Sequence, residues 1–195
     1  MITNENAVNE LLSLLHSWHP ISSHFRMELT RLLDHQQVKP KQQLCNYGNH
    51  VSNTWYSVDC WIVAFQYLPL GIEEVANIYS PGSIITEPHS FLQKSPSKQR
   101  ISILEGRSVL FINKAGFNQL RNLSETSFLL EHSLLEEQLY NHWRMDILAM
   151  KDSDKVHAFA QKYPLTEIPG NIAASFLRMT QAHYSTTKSQ YIRNK

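Results

Sequence analysis

The sequence predicts an α+β fold in which an antiparallel β-roll, of the double-stranded β-helix or jelly-roll kind, lies between helical segments. Three observations favour it: helical periodicity near the N-terminus, a central stretch of short β-branched and aromatic runs, and helical signals that return after residue 113. The 195 residues are 42% hydrophobic and 18% charged, which is typical of one large globular domain or two small ones.

The first segment reads as two helices. Apolar residues recur at helical spacing over Ala7–Trp18 and again over Phe25–Leu33, and Pro20 separates the two stretches.

The central segment, from Val38 to Ile112, carries strand signals punctuated by Gly and Pro turns. Strands so closely spaced favour antiparallel pairing, because parallel strands need connecting helices between them. The predicted strand runs are Thr54–Leu68, Glu73–Tyr79, Arg100–Leu104 and Ser108–Ile112.

Helical signals return at Lys114–Leu120 and then over Ser124–Met150, where neither Gly nor Pro interrupts. We expect the Ser124 hydroxyl to cap the long helix, which would be about 40 Å long. Its apolar residues occupy more than one face, so one side is expected to pack on its own chain and the other on a second copy. A wholly intramolecular core helix is the alternative.

The last 45 residues predict three short helices. One runs over Asp152–Tyr163, a second starts at Pro169 and continues through Leu177, and Thr180 caps the third. Two short helices joined by a tight turn form a helix-turn-helix, whose second helix can enter the DNA major groove.

Charge is distributed unevenly although the formal net charge is only +1. The segment Gly170–Lys195 contains Arg178, Lys188, Arg193 and Lys195 and no acidic residue. A basic C-terminus of this kind indicates contact with nucleic-acid phosphates.

This order of parts resembles the Crp/Fnr family of bacterial transcription regulators, and is most similar to short, wingless members common in Bacteroidetes. Those carry a stretch like R-I-P-x-K-Y-I-A-S-Y-L-G-I-T, and Glu167–Thr180 reads E-I-P-G-N-I-A-A-S-F-L-R-M-T without a gap. The segments Phe159–Pro164 (FAQKYP) and Ser90–Ser97 (SFLQKSPS) also resemble that group. The resemblance implies a sensor roll, a dimerisation helix and a DNA-binding unit.

The chain departs from the family within the helix-turn-helix. Arg178 stands where the family usually has the turn glycine, a position that favours a left-handed backbone. Ala182 and Thr186 stand where many members present a Glu and an Arg to the bases. The remaining candidate DNA contacts are Arg178, Thr180, Gln181, His183, Ser185, Thr187, Lys188 and Arg193, of which Arg178, Lys188 and Arg193 are expected to meet phosphates.

The segment that forms the ligand pocket in the family also departs from the family pattern. The phosphate-holding cassette of cyclic-nucleotide sensors is missing, and the candidate effector residues at its place are Ser97, Lys98 and Arg100. Two structural glycines of the roll are replaced, by Gln42 and Trp61. We therefore expect no cyclic AMP binding of the usual kind.

The sequence predicts neither a cofactor nor a metal site. Cys45 and Cys60 do not form a cluster of the kind that holds iron-sulfur centres, and His16 with His19 lacks a third ligand. We expect both cysteines to be buried in a reducing compartment.

We expect no enzyme, because no P-loop, G-x-S-x-G, H-E-x-x-H or dinucleotide fingerprint occurs. Asp59 and Cys60 fall inside a predicted strand, where alternation would point them to opposite faces and packing explains them better than a nucleophilic site. With no signal peptide or membrane span, we expect a cytoplasmic protein.

The leading hypothesis is a homodimeric, sequence-specific transcription regulator that binds a palindromic operator in double-stranded DNA and responds to an unidentified small-molecule effector. Its units would be a sensor roll (1–123), a dimerisation helix (124–150) and a helix-turn-helix (151–195). The alternative is a dimeric ligand-binding or protein-interaction module with a degenerate helix-turn-helix.

Overall fold

The computed structural model describes residues 4–193, and its centre is a pair of antiparallel sheets with helices against both outer faces. The eight strands that it describes are β1 (Asp34–Gln37), β2 (Gln43–Cys45), β3 (Asn53–Ser57), β4 (Trp61–Tyr67), β5 (Glu73–Tyr79), β6 (Ile84–Ile85), β7 (Gln99–Glu105) and β8 (Ser108–Asn113). One sheet has the order β1-β8-β3-β6 and the other β2-β7-β4-β5, all pairs antiparallel. The predicted α+β class with an antiparallel roll is confirmed.

The helices in the described part of the chain follow the sequence patterns closely. They are α1 (Asn4–Trp18), α2 (Ser23–Leu32), α3 (Pro88–Gln93), α4 (Lys114–Leu120), α5 (Ser124–Ala149), α6 (Asp152–Lys162), α7 (Gly170–Phe176) and α8 (Gln181–Arg193). One predicted detail is wrong: Leu123 is the N-cap of α5 and no side chain caps it, because the Ser124 hydroxyl lies against Glu125 instead.

The run Thr54–Leu68 is two strands rather than one. Asp59 and Cys60 lie in the bend between β3 and β4, so the expectation that they occupy one strand is wrong. The Asp59 carboxylate accepts the backbone N–H groups of Arg107 and Ser108, both at 2.9 Å, and so ties this bend to the β7–β8 turn. Burial, followed by the hydrogen bond to Asp59, raises the pKa of the Cys60 thiol to about 12, which leaves it unsuited to nucleophilic chemistry.

Alternation along β4 separates two hydrophobic cores. Ile62 and Ala64 point into the roll, where they pack with Trp55, Phe91 and other buried side chains. Their neighbours Trp61 and Val63 point outward and share a core with α5, α6, α7 and α8. A third core lies between α1, α2, α4 and the outer face of the first sheet. The C-terminal helices are therefore packed directly on the roll.

Candidate nucleic-acid interface

Helices α7 and α8 form a two-helix unit joined by a short turn over residues 177–180. Tyr184 of α8 is only 1% exposed, and its ring lies against Gly170 at the start of α7. Ala174 is buried between the helices, and its carbonyl accepts the Met179 N–H at 2.9 Å. Small and aromatic residues thus pack this pair of helices together.

The first turn of α8 exposes a small polar surface. The Thr180 hydroxyl accepts the His183 backbone N–H at 3.2 Å, which is the predicted capping bond. Gln181, Ser185 and Arg193 are exposed, as are the two departures Ala182 and Thr186. Helix α8 itself carries no acidic side chain within the described residues, and the exposed imidazole of His183 lies near its start.

Two of the candidate contacts on α8 are engaged within the chain. Thr187 is buried, and its hydroxyl donates to the His183 carbonyl at 2.9 Å, so we remove it from the set of DNA contacts. Lys188 is half-buried, and its ammonium donates to the Leu165 carbonyl at 2.7 Å, which ties α8 to the loop before α7. Two N–H groups of that ammonium remain for another acceptor.

His183 forms an exposed hydrogen bond between α8 and the start of α6. Its Nε2 lies 2.8 Å from a carboxylate oxygen of Asp152. Lys155 and His183 together lower the pKa of that carboxyl. A phosphate approaching His183 would compete with Asp152 for the imidazole.

Arg178 adopts the predicted left-handed backbone, with φ of +54°. Such a conformation costs a non-glycine residue about 1 kcal/mol. Its guanidinium forms a two-pronged pair with the Glu74 carboxylate of β5, with Nε at 2.8 Å and Nη2 at 3.0 Å. The expectation that Arg178 points to DNA therefore has to be corrected, because its fork faces the roll.

Glu74 is 3% exposed and lies among three donors. Besides Arg178, Gln66 donates to it at 2.9 Å and the Arg144 guanidinium of α5 lies 3.4 Å away. Burial alone raises the pKa of this carboxyl, but these hydrogen bonds and positive charges outweigh it and bring the pKa to about 2. Glu74 thus joins the roll, α5 and the α7–α8 turn through one charged cluster.

The outer edge of β5 is covered by side chains from the C-terminal helices. The Val75 N–H donates to the Ser175 hydroxyl at 3.0 Å, and the Val75 carbonyl accepts Arg144 at 2.8 Å. Three residues along, the Ile78 carbonyl accepts the Tyr163 hydroxyl at 3.0 Å. Backbone groups at a sheet edge need hydrogen-bond partners when they are buried. These side chains supply the partners that another strand next to β5 would otherwise provide.

The candidate effector residues do not converge on a ligand site. Ser97 is buried, with its hydroxyl on the Gln99 carbonyl, and Lys98 is exposed. Arg100 forms an ion pair with Glu73 at 2.7 Å and stacks on Phe65. None of the three lines the cavity described next, so the structure does not bring them together there.

A cavity of about 730 Å³ lies between α5 and the roll. Leu130, Leu134 and Glu137 of α5 form one wall, and aromatic side chains such as Tyr79 line much of the rest. The charged groups that line it are Glu136, Glu137 and Lys162. A wall of this composition, with two carboxylates and one ammonium, disfavours a phosphate.

Within residues 4–193 no helix is long and apolar enough to cross a membrane, and no three His, Cys, Asp or Glu side chains come together as metal ligands. Both Cys45 and Cys60 are free and buried.

Comparison by structure finds similar folds, whereas no family model and no curated protein sequence matches the chain. FixK2 from Bradyrhizobium japonicum superposes with a TM-score of 0.72 at 12% identity, over 83% of this chain and 85% of that one. The c-di-GMP responsive global regulator CLP of Xanthomonas campestris gives 0.70 at 10% identity, over 89% and 93%. The catabolite activator protein of Thermus thermophilus gives 0.57 at 13%, over 92% and 87%. The chain shares the fold of these proteins.

Proposed function

We propose that this protein is a homodimeric, sequence-specific DNA-binding transcription regulator of the Crp/Fnr type, acting in the cytoplasm and not responding to cyclic AMP. The observation that supports the proposal is the exposed face of α8, a helix without acidic residues, presented by the two-helix unit α7–α8 on a fold shared with transcription regulators. The roll (1–123), the long helix (124–150) and the C-terminal unit (151–195) would sense, dimerise and read DNA.

We assign DNA contact to residues that α8 exposes and to its cap. Gln181, His183 and Ser185 lie where side chains would reach base edges, next to the Thr180 cap. Lys188 and Arg193 would meet phosphates. In a dimer the two α8 helices would enter successive major grooves about 34 Å apart, which implies a palindromic operator.

A salt series on random duplex DNA tests this assignment. Phosphate contacts make log K fall linearly with log salt by about 0.9 per contact, so Lys188→Ala with Arg193→Ala should flatten the slope by roughly 1.8. Ser189→Ala, an exposed uncharged position of α8, serves as the matched control and should leave the slope unchanged. Absence of binding at low salt would contradict the proposal.

The second candidate is a dimeric ligand-binding or protein-interaction module that no longer recognises a DNA sequence. The small side chains of Ala182 and Thr186 on the exposed face favour it, as does the Asp152 partner already held by His183. Under either function, the cavity between α5 and the roll is the site we assign to an unidentified small-molecule effector.

A further inference from the structure

Two departures from the family pattern lie at one interface. Trp61 replaces a glycine of the roll, and its indole N–H donates to the Glu167 carboxylate at 2.6 Å, just before α7. Arg178 replaces the glycine of the turn after α7 and reaches back to Glu74 of the roll. A glycine at either position has no side chain that could make these contacts.

We propose that Arg178 is a positioning residue, which fixes α7 and α8 in one orientation on the roll through Glu74 and does not contact phosphate. The inference rests on the proposed function, since the orientation matters for reading DNA. From the sequence alone, a cation at the edge of a recognition helix is expected to contact phosphate. We assign Arg178 the positioning role instead.

The contacts hold α7 near both of its ends. Glu167 is bonded to Trp61 before the helix starts, while Ser175 and Arg178 are bonded to Val75 and Glu74 where it stops. Helix α8 begins at Gln181, three residues after Arg178, so the orientation of the turn is passed to α8 with little chain between them. Few torsions remain through which α8 could move independently of β5.

Glu74 also connects the Arg178–Glu74 pair to the long helix α5. The Arg144 guanidinium lies 3.4 Å from the Glu74 carboxylate and donates to the neighbouring Val75 carbonyl at 2.8 Å. A shift of α5 against the roll would therefore disturb the same carboxylate that holds Arg178. Breaking the pair would remove one of the contacts that orient α8 on the roll, and re-forming it would favour a single separation of the two α8 helices in a dimer.

Two substitutions separate positioning from phosphate contact. Arg178→Gly keeps the left-handed turn without strain and removes the whole side chain, including the guanidinium that binds Glu74. Glu74→Gln changes a buried group that DNA cannot reach. Arg193→Ala is the control for a true phosphate contact. All are compared on a 30-base-pair random duplex over a salt series, at a temperature where circular dichroism shows each variant folded.

We expect Arg178→Gly and Glu74→Gln each to lower the affinity about tenfold with the salt slope unchanged, and the double variant to lose no more than either. Arg193→Ala should flatten the slope by about 0.9. A slope flattened by Arg178→Gly, or an affinity unchanged by Glu74→Gln, would overturn the inference while leaving the regulator proposal standing.

Amide hydrogen exchange of the DNA-free protein tests separately whether the Arg178–Glu74 pair holds α7 on β5. The Val75 N–H, bonded to Ser175, should exchange faster in Arg178→Gly and in Glu74→Gln but not in Arg193→Ala. Unchanged Val75 exchange in the first two variants would overturn the inference. Wild-type protein that binds no duplex at low salt would overturn the proposed function and the DNA-positioning role together, even if Val75 exchange responds.

Discussion

At the scale of single residues, Glu74 joins β5 to both α5 and the α7–α8 turn. It is nearly inaccessible to water yet ionised, because Arg178, Gln66 and Arg144 surround it. Removing Glu74 or one of its arginine partners is costly, because the group that remains keeps a charge without a nearby opposite charge. The strain of Arg178 in its left-handed conformation is offset by the same pair.

The lowered pKa of Glu74 makes a prediction about stability and pH. Because the folded-state pKa is about 2 and the unfolded value about 4.5, the ionised group contributes stability above pH 4.5 that is lost as the pH falls toward 2. We expect Glu74→Gln to reduce the free energy of unfolding by about 3 kcal/mol at pH 7. Urea unfolding of both proteins at pH 7 and pH 3 measures this. The difference should shrink at pH 3, and a difference equal at both values would contradict the assignment.

At the scale of elements, α5 exposes apolar side chains that its own chain does not cover. Leu135 and Met145 are 52% and 62% exposed, and Phe128 and Leu139 are also half-exposed. The helix buries another side, including Leu129 and Ile147, against the rest of the chain. Apolar residues on two sides of one helix agree with the predicted use of α5 as a dimer contact.

We predict that Leu135→Glu converts a dimer to a monomer. Two carboxylates introduced across a symmetric helix pair would lie close together in an apolar contact and repel each other. Asn141→Glu, at an exposed polar position of α5, is the matched control and should remain dimeric. Sedimentation velocity reports the mass of each. Wild-type protein that sediments as a monomer at micromolar concentration would contradict the dimer.

At the scale of the whole molecule, three cores stack the N-terminal helices, the two sheets and the C-terminal helices. The roll core includes Trp55 and Phe91, and both side chains also line the cavity. The cavity is bounded on other sides by α5 and by the two N-terminal helices. A ligand bound there would contact both the roll and the helix that leads to α7 and α8, which is a physical requirement for coupling them.

Cyclic AMP should therefore not stabilise the protein. The wall of the cavity carries the carboxylates of Glu136 and Glu137 against the single cation of Lys162, which disfavours the phosphate of the nucleotide. Thermal unfolding with 1 mM cyclic AMP should give the same Tm as protein alone, because only a ligand that binds the folded state raises it. A saturable increase in Tm would contradict this.

The sequence predicted local structure well and long-range contacts poorly. The periods of α4, α5 and α6, and the left-handed conformation of Arg178, follow from neighbouring residues and were predicted. The short strands β1, β2 and β6 and the helix α3 have too few residues for a period and were missed. The partner of Arg178 could not be predicted, because Glu74 is 104 residues away and meets it only through the packing of β5 against α7. For the same reason the cavity between α5 and the roll could not be predicted from the sequence.

The measurement that tests the central claim most directly is selection of bound sequences from a random duplex library with the purified protein. A dimer that presents two α8 helices should enrich a palindrome whose half-site centres lie about 10 base pairs apart. Enrichment should be lost in Gln181→Ala combined with Ser185→Ala, while binding to random duplex persists. A library that emerges without any enriched sequence, from a wild-type protein that binds no duplex at low salt, would contradict the account.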